Sequence, residues 1–259
     1  MQVDHSISPE QRREQILAYL SVHDRTPVSE LSQVLGVSEV TVRKDLDVLE
    51  SQGVLTRVHG GAVVSGRGRL ELYFAAREQE HLEEKRRVAQ AAAALITSGQ
   101  RVFLDASTTA LQVARLIKDR EELTVVTNGL YTALELNFSE GITTIVVGGT
   151  MRRRSSSLVG SLNYNSIQRL RVDIGLFGAR GLTVRDGLME SELDEAQLKQ
   201  QFVSAAQIVV GIVDSSKFGT VSFSAFALPH EIDRIITDDR APTTLIAELQ
   251  ALNIVVDLV

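Results

Sequence analysis

Ser38-Glu39-Val40-Thr41-Val42-Arg43-Lys44-Asp45-Leu46 reads as a helix with two unlike faces. Ser38 is a favourable N-cap, because its hydroxyl can accept from the free backbone N–H groups of the first turn, and Gly36 suits the turn before it. With the helix running to about Gln52, Val42, Leu46 and Leu49 fall on one side at spacings of four and three and belong in a core. The other side carries Val40, Arg43, Lys44 and Asp47. Two cations and a small apolar group near a helix start suit a major groove: Arg43 or Lys44 against guanine O6 and N7, Val40 against a thymine methyl, backbone N–H groups against a phosphate. Taken alone, the same pattern describes an amphipathic helix with a solvated charged face. The flanking chain decides between them.

Upstream, residues 1–7 read as a loose arm. Ser8-Pro9-Glu10-Gln11 combines a capping serine, proline at the first helical position and Gln three residues after the cap, so a first helix is expected to about His23, with Ile16, Leu17 and Leu20 inward. Thr26-Pro27 is expected to open a second short helix containing Leu31, Val34 and Leu35, and Gly36-Val37 then turns the chain into the helix quoted above. Helix, short turn, helix is the order of a helix-turn-helix. Downstream, the residues from Gly53 to Val64 form two β-prone runs around Gly60-Gly61, the pattern of a wing, with Arg57 and His59 near its tip facing DNA. Ser38, Val40, Thr41, Arg43, Lys44, Arg57 and His59 are therefore the candidate DNA-contacting residues, and a plain structural hairpin is the alternative for the wing.

Composition limits these readings. The net charge is −6, and residues 1–64 hold six Lys/Arg (Arg12, Arg13, Arg25, Arg43, Lys44, Arg57) against nine Asp/Glu, so any DNA contact must be local. With no cysteine, thiol chemistry and thiolate metal sites are excluded, and five scattered histidines show no metal-ligand spacing. No stretch approaches a membrane span and no apolar signal segment begins the chain, which predicts a cytoplasmic protein without metal or cofactor. At 259 residues and 44% hydrophobic, a small domain beside a larger one is expected: residues 1–64, a linker over 65–77 around Ser65-Gly66-Arg67-Gly68-Arg69, and a larger unit over 78–259.

In the larger unit a helix is expected from Glu78 to Ile96, and apolar β-prone runs then alternate with helical stretches. Strands are predicted at Arg101–Leu104, Leu123–Val126, Thr143–Val147, Val172–Phe177, Ile208–Val213, Arg234–Thr237 and Asn253–Asp257. Helices are predicted at Thr109–Ile117, Leu130–Asn137, Ser191–Ala205 and Thr243–Leu252. That alternation implies an α/β fold with a mostly parallel sheet covered on both faces. Ligands of such sheets bind beyond the carboxyl ends of the strands. There the sequence offers Asp105-Ala106-Ser107-Thr108-Thr109, then Thr127-Asn128-Gly129, then Gly148-Gly149-Thr150 with Arg152, Arg153 and Arg154, and then Gly178-Ala179-Arg180-Gly181. Hydroxyls, glycines and cations in this combination suit a phosphorylated small molecule, although each loop alone is explained by caps and turns. Lys217, after Asp214-Ser215-Ser216, is a further candidate. Lys199 is another, with an ordinary i,i+4 surface pair to Glu195 as the simpler account.

Taken together, these stretches resemble the DeoR family of bacterial transcription regulators over nearly the whole chain from about Pro9. Arg12 or Arg13 followed by Ser38-x-x-Thr41-Val42-Arg43-Lys44-Asp45-Leu46 resembles the signature of its DNA-binding unit. Glu84-Lys85, the residues from Leu104 to Thr109, Thr124-Val125-Val126-Thr127-Asn128, Gly148-Gly149, Phe177-Gly178-Ala179, Glu195-Ala196-x-x-Lys199 and the residues from Asp214 to Phe218 resemble its effector domain. The resemblance implies a winged helix-turn-helix joined to a sugar-phosphate sensor similar in fold to ribose-5-phosphate isomerase. It also implies a homo-oligomeric repressor of carbohydrate-use genes that binds a double-stranded operator and is released by a phosphorylated sugar. The candidate effector residues are Asp105, Ser107, Thr108, Thr109, Thr127, Asn128, Gly148, Gly149, Arg152, Lys199 and Lys217. Ala106-Ser107 departs from the family where glycine is frequent, and Ser161 where proline is. The rival is a sugar-phosphate isomerase with an accessory DNA-binding domain, for which Asp105, Asp173 or Glu195 would have to supply the base. No nucleophile elbow or metal motif accompanies them, and no catalytic residue is assigned. A third reading is a constitutive DNA-binding protein whose large domain only oligomerises.

Overall fold

The computed structural model describes residues 8–22, 25–51, 55–58, 60–64, 74, 76–152, 155–160 and 167–259. The expected N-terminal arm, His59, Arg153, Arg154, Ser161 and the Ser65–Arg69 stretch lie outside these residues. The chain forms two compact units, Met1–Glu80 and His81–Val259.

In the first unit, α1 (Pro9–Val22), α2 (Val28–Leu35) and α3 (Glu39–Ser51) enclose a core of Ile16, Leu20, Leu31, Leu35, Val42, Leu46 and Leu49. Gly36 ends α2 in the left-handed region at φ 64°, where it donates its N–H to the Ser32 carbonyl; a side chain there would be strained, which is why the tight turn carries glycine. The wing strands β2 (Leu55–Val58) and β3 (Gly61–Val64) pair antiparallel, and Leu55 and Ala62 join the helical core. One expectation is corrected here. Thr26-Pro27 does not open α2 but belongs to a short strand, β1 (Arg25–Pro27), which pairs with β3 and turns the wing into a three-stranded sheet, β1-β3-β2. The cause is pairing with β3, helped by proline's bias of the residue before it toward extended backbone, so Thr26 continues the strand, and Pro27, at φ −65° and ψ 148°, occupies the N-cap position of α2.

The second unit begins with α4 (Leu82–Ala94), shorter than the expected 78–96 because His81 takes a left-handed φ of 53° and separates it from the helical residues 76–79. The main sheet contains β4 (Arg101–Leu104), β5 (Leu123–Thr127), β6 (Ile142–Val146), β9 (Val172–Phe177), β12 (Ala206–Ile212), β14 (Arg234–Thr237) and β15 (Val255–Leu258). Its order is β15-β14-β12-β9-β4-β5-β6 and every pairing is parallel. Helices α5 (Thr108–Ile117), α6 (Leu130–Leu136), α7 (Leu193–Ala205) and α8 (Thr243–Ala251) alternate with these strands.

Successive residues of a strand point to opposite faces, and here both faces are covered. Phe103, Val172 and Phe177 lie in one core with Phe202 of α7, whose ring stacks on Phe103 at 3.8 Å. Val102, Leu104, Ile174 and Leu176 lie in the other, against Val88, Ala89 and Ala92 of α4 and Ala110, Val113 and Ala114 of α5.

Two small antiparallel elements were not expected from the sequence: the hairpin β7 (Thr150–Arg152) with β8 (Ser157–Val159), and the sheet β10 (Gly181–Thr183), β11 (Gly187–Glu190), β13 (Ser224–Ala227). The topology fixes where a ligand site belongs. From β4 the chain builds outward through β5 and β6, then returns to β9 on the other side of β4 and continues through β12, β14 and β15. Neighbouring connections therefore diverge between β4 and β9, and such a switch point leaves a crevice beyond the strand ends.

Candidate functional site

On α3 the Ser38 hydroxyl accepts from the Thr41 N–H at 3.2 Å and meets the Thr41 hydroxyl at 2.9 Å, which caps the helix as its sequence requires. Val40 is 59% exposed, and Arg43, Lys44 and Asp47 are exposed beside it. Arg43 pairs with Glu39 one turn earlier at 2.5 Å, a solvent-facing contact that a stronger partner can replace.

Asp45 behaves differently. It is buried, and Arg12 of α1 grips both its carboxylate oxygens, Nε to Oδ2 at 2.5 Å and Nη2 to Oδ1 at 3.2 Å, with Arg13 at 3.7 Å. A bidentate arginine fixes angle as well as distance, so this pair sets the orientation of α3 on α1. The acidic excess of the N-terminal stretch is partly answered by such pairing: Glu30 accepts from the Tyr19 hydroxyl, Glu39 holds Arg43, and Glu50 accepts from the Arg57 backbone N–H. Arg57, expected near the wing tip, sits on β2 with its guanidinium on Asp47 of α3, which ties the β2–β3 hairpin to that helix.

At the β4/β9 switch point three loops meet around Lys199 of α7. Its Nζ contacts Asp105 Oδ2 at 2.7 Å and donates to Glu190 Oε1 at 2.5 Å and to the Gly178 carbonyl at 2.8 Å. These partners use all three ammonium hydrogens, and the charge also lies 4.9 Å from the centre of the Phe226 ring. Burial by itself pushes the ammonium's pKa down, but the carboxylates of Asp105, Glu190 and Glu195 outweigh that and hold it above the ordinary lysine value.

Asp105 also accepts from the backbone N–H groups of Ser107 at 3.0 Å and Gly178 at 2.9 Å, so one buried carboxylate joins the loops after β4 and β9. The approach is close: a Cβ at residue 178 would lie 2.4 Å from the Ser107 Cβ, which only glycine avoids. This arrangement corrects the expectation of a surface i,i+4 pair between Lys199 and Glu195. Lys199 is 2% exposed, because its helix packs across the sheet and turns it inward.

Glu195 has its own set of partners. Its Oε1 accepts from Asn128 Nδ2 at 3.0 Å, and its Oε2 accepts from the Ser157 hydroxyl at 2.8 Å and Arg152 Nη1 at 3.2 Å. Arg152 also reaches Glu192 at 3.2 Å. Asn128 further exchanges bonds with Leu158 of β8, and the Gly149 N–H donates to the Val159 carbonyl, so the loops after β5 and β6 join through the β7–β8 hairpin. Thr127 is fully buried and its hydroxyl accepts from the Gly129 N–H, a turn-forming contact.

The Ser107 hydroxyl caps α5 by accepting from the Ala110 N–H, and Thr108 and Thr109 open that helix with little exposure. Gly148 lies beside Leu158 at a φ of 125°. Lys217, at the end of β12, stays partly exposed beside Ser216 at 3.0 Å and Asp214 at 3.7 Å.

Sequence spacing gave no sign that Glu190 would meet Lys199 or that Asn128 and Ser157 would meet Glu195, since each partner is supplied by a different loop. None of the three carboxylates considered for an isomerase base is free: Asp105 and Glu195 are paired as described, and Asp173 binds Arg101 at the amino ends of β9 and β4, away from these loops. Among the described residues no group of three or more metal-ligating side chains occurs, and no helix is long and apolar enough to cross a membrane.

Residues 12–67 match the family described as DeoR-like helix-turn-helix domain, and residues 80–239 match the DeoR C terminal sensor domain. The HTH-type transcriptional regulator GlpR of Haloferax volcanii is 38% identical over 249 residues, covering 96% of this chain and 97% of that protein. The glycerol-3-phosphate regulon repressor of Escherichia coli is 29% identical over 96% of this chain and 98% of its own. Ribose 5-phosphate isomerase A of Methanocaldococcus jannaschii superposes on 53% of this chain and 55% of its own at a TM-score of 0.41 and 17% identity. The α/β class of the second unit stands on its seven parallel strands, independently of that superposition.

Proposed function

Because the chain belongs to the DeoR family of transcriptional regulators, we propose that it is a cytoplasmic, homo-oligomeric repressor of carbohydrate-use genes, released from its operator by a phosphorylated sugar or related metabolite. Paired copies of α3 would read two half-sites, with Ser38, Val40, Thr41, Arg43 and Lys44 toward the groove, Arg57 and His59 toward the flanking backbone, and each good base contact contributing about 1–3 kcal/mol of discrimination. The observation that carries the effector reading is the meeting of the loops after β4, β5 and β9 at the switch point. There the start of α5 supplies Ser107, Thr108 and Thr109, and Asn128, Gly148, Gly149, Arg152 and Lys217 border the same ends of the sheet. Asp105 and Lys199 hold those loops in place, with their own hydrogen-bonding capacity turned toward the protein. The repressor named for the glycerol-3-phosphate regulon supports a phosphorylated effector.

Release needs only modest coupling. A tenfold loss of operator affinity corresponds to about 1.4 kcal/mol, which one charged ligand can supply by binding two states unequally. Fluorescence anisotropy on DNA from upstream of the chain's own gene, with and without a sugar-phosphate panel at fixed salt, tests the reading. Tight binding reversed by one member is expected. Tight binding that no member reverses would leave a constitutive binder.

A further inference from the structure

We propose that Arg152 is a shared arginine that leaves Glu195 and Glu192 for the anionic group of the effector, and that the vacated Glu195 oxygen then accepts from a hydroxyl of the same molecule. The inference rests on the sugar-phosphate reading above and assigns Glu195, which that reading leaves out, as the competitor that sets the strength of anion binding.

The argument starts from what each group keeps when the pair opens. Glu195 is 6% exposed at its side chain and retains two neutral donors, Asn128 Nδ2 and the Ser157 hydroxyl, both fully buried. It also lies in the field of the Lys199 ammonium one helical turn on. A buried carboxylate so supplied stays tolerable without the arginine. Arg152 is the member of the network that reaches solvent, at 20% side-chain exposure, and its second partner Glu192 is 53% exposed. Its guanidinium offers a planar pair of donors matched to a phosphate, which makes it the group that can change partners.

A second observation identifies what the rest of the ligand carries. Both hydrogens of the Asn128 amide go to acceptors, Glu195 and the Leu158 carbonyl, which fixes the amide's orientation. The Asn128 Oδ1 is left buried without a hydrogen-bond partner. A buried acceptor of this kind beside a carboxylate that is about to lose one donor suits a molecule with hydroxyl groups near its anion. The class is a phosphorylated polyhydroxy compound, in preference to a simple anion.

Calorimetric titration of the full chain with inorganic phosphate, glucose 6-phosphate, fructose 6-phosphate and glycerol 3-phosphate tests the exchange. Glu195→Gln keeps the shape and, with its amide oxygen toward Asn128 and its NH2 toward a Ser157 hydroxyl that turns to accept, keeps a contact to each neutral neighbour while releasing Arg152. The freed arginine outweighs the one acceptor lost to a ligand hydroxyl, so binding of whichever phosphate the wild type takes is expected to tighten. Arg152→Met is expected to weaken it by about tenfold or more, the size of a lost charge-assisted hydrogen bond, and the double variant should bind like Arg152→Met alone. A merely structural pair predicts weaker binding for both single variants. Arg152→Lys serves should the methionine variant fail to fold, with weakening again expected because the paired donors are gone. Unchanged or weakened binding by Glu195→Gln in a wild type that does bind the panel would overturn the inference and leave the sugar-phosphate reading standing. If wild type and Glu195→Gln both bind no member, the reading fails and the inference with it.

Discussion

Arg43 lies on the exposed side of α3 with one solvent-facing partner, whereas Lys199 is enclosed by two carboxylates, a backbone carbonyl and an aromatic face. The two residues carry the same charge in opposite settings. A cation proposed to read a groove must give up its partner at little cost, and Arg43 sits near water where a pair is weak. A scaffold cation must hold loops from distant parts of the chain, so it is desolvated and saturated, and removing it exposes the whole cost of burying its partners. Within the first unit the same contrast separates Arg43 from Arg12, whose bidentate grip on buried Asp45 places it with the scaffold group.

That division can be broken most severely at Lys199. Lys199→Met leaves Asp105 and Glu190 buried without their cation and is expected to destabilise the sensor unit by about 3–5 kcal/mol, read from urea unfolding. A loss under about 1 kcal/mol would mean the cluster is solvated and the contrast false. Next, Asp45→Asn takes a charged acceptor from Arg12 and should cost about 1.5–3 kcal/mol in the N-terminal unit, followed by thermal unfolding of the full chain.

Arg43→Ala sharpens the comparison from the other side. Operator affinity should fall by about 1–3 kcal/mol at fixed salt, while stability changes by no more than the roughly 0.3–0.5 kcal/mol of an i,i+4 pair. Operator affinity equal to wild type would remove Arg43 from base readout. Thr108→Val is expected to keep DNA binding and stability near wild type and to weaken effector binding by about 0.5–1.5 kcal/mol, the value of one neutral hydrogen bond, as measured by calorimetry.

The smallest effect concerns Asp173, whose carboxyl is held below its ordinary pKa by hydrogen bonds from Arg101. A lowered folded pKa means that the pair's stabilisation is present above the unfolded value, near 3.9, and is lost as pH falls through the folded one. Wild type should therefore exceed Arg101→Gln in stability by a constant margin near neutrality, and the margin should close below about pH 4. A gap that widened in acid would show the sign to be wrong.

How much of this could be read from the chain depends on the distance over which each cause acts. Ser38, Val42, Leu46 and Leu49 declare α3 through capping and periodicity, which are properties of neighbours, and the seven parallel strands follow from apolar runs between helices. Thr26-Pro27 went astray because its strand exists only by pairing with β3, thirty-six residues away by register. The antiparallel sheet β10-β11-β13 was missed for a related reason: three- and four-residue strands leave too little alternation to be recognised. At the site, the loop ends were visible as small and polar residues, but their wiring was not. Glu195 and Lys199 look like partners at i,i+4, yet they face different loops, and only packing of α7 across the sheet decides which carboxylate each residue meets.

The Lys199 ammonium, in the middle of α7, is enclosed by Asp105 just after β4, the Gly178 carbonyl just after β9 and Glu190 at the end of β11. A chain emerging from the ribosome exposes Asp105 and Glu190 before Lys199 arrives, and two buried carboxylates without a cation oppose closure of the crevice. Synthesis at about 5–20 residues per second makes that interval short but real. The strand-end loops of the second unit can therefore close only after α7 has appeared, so a product truncated before it would retain the early strands without an assembled site.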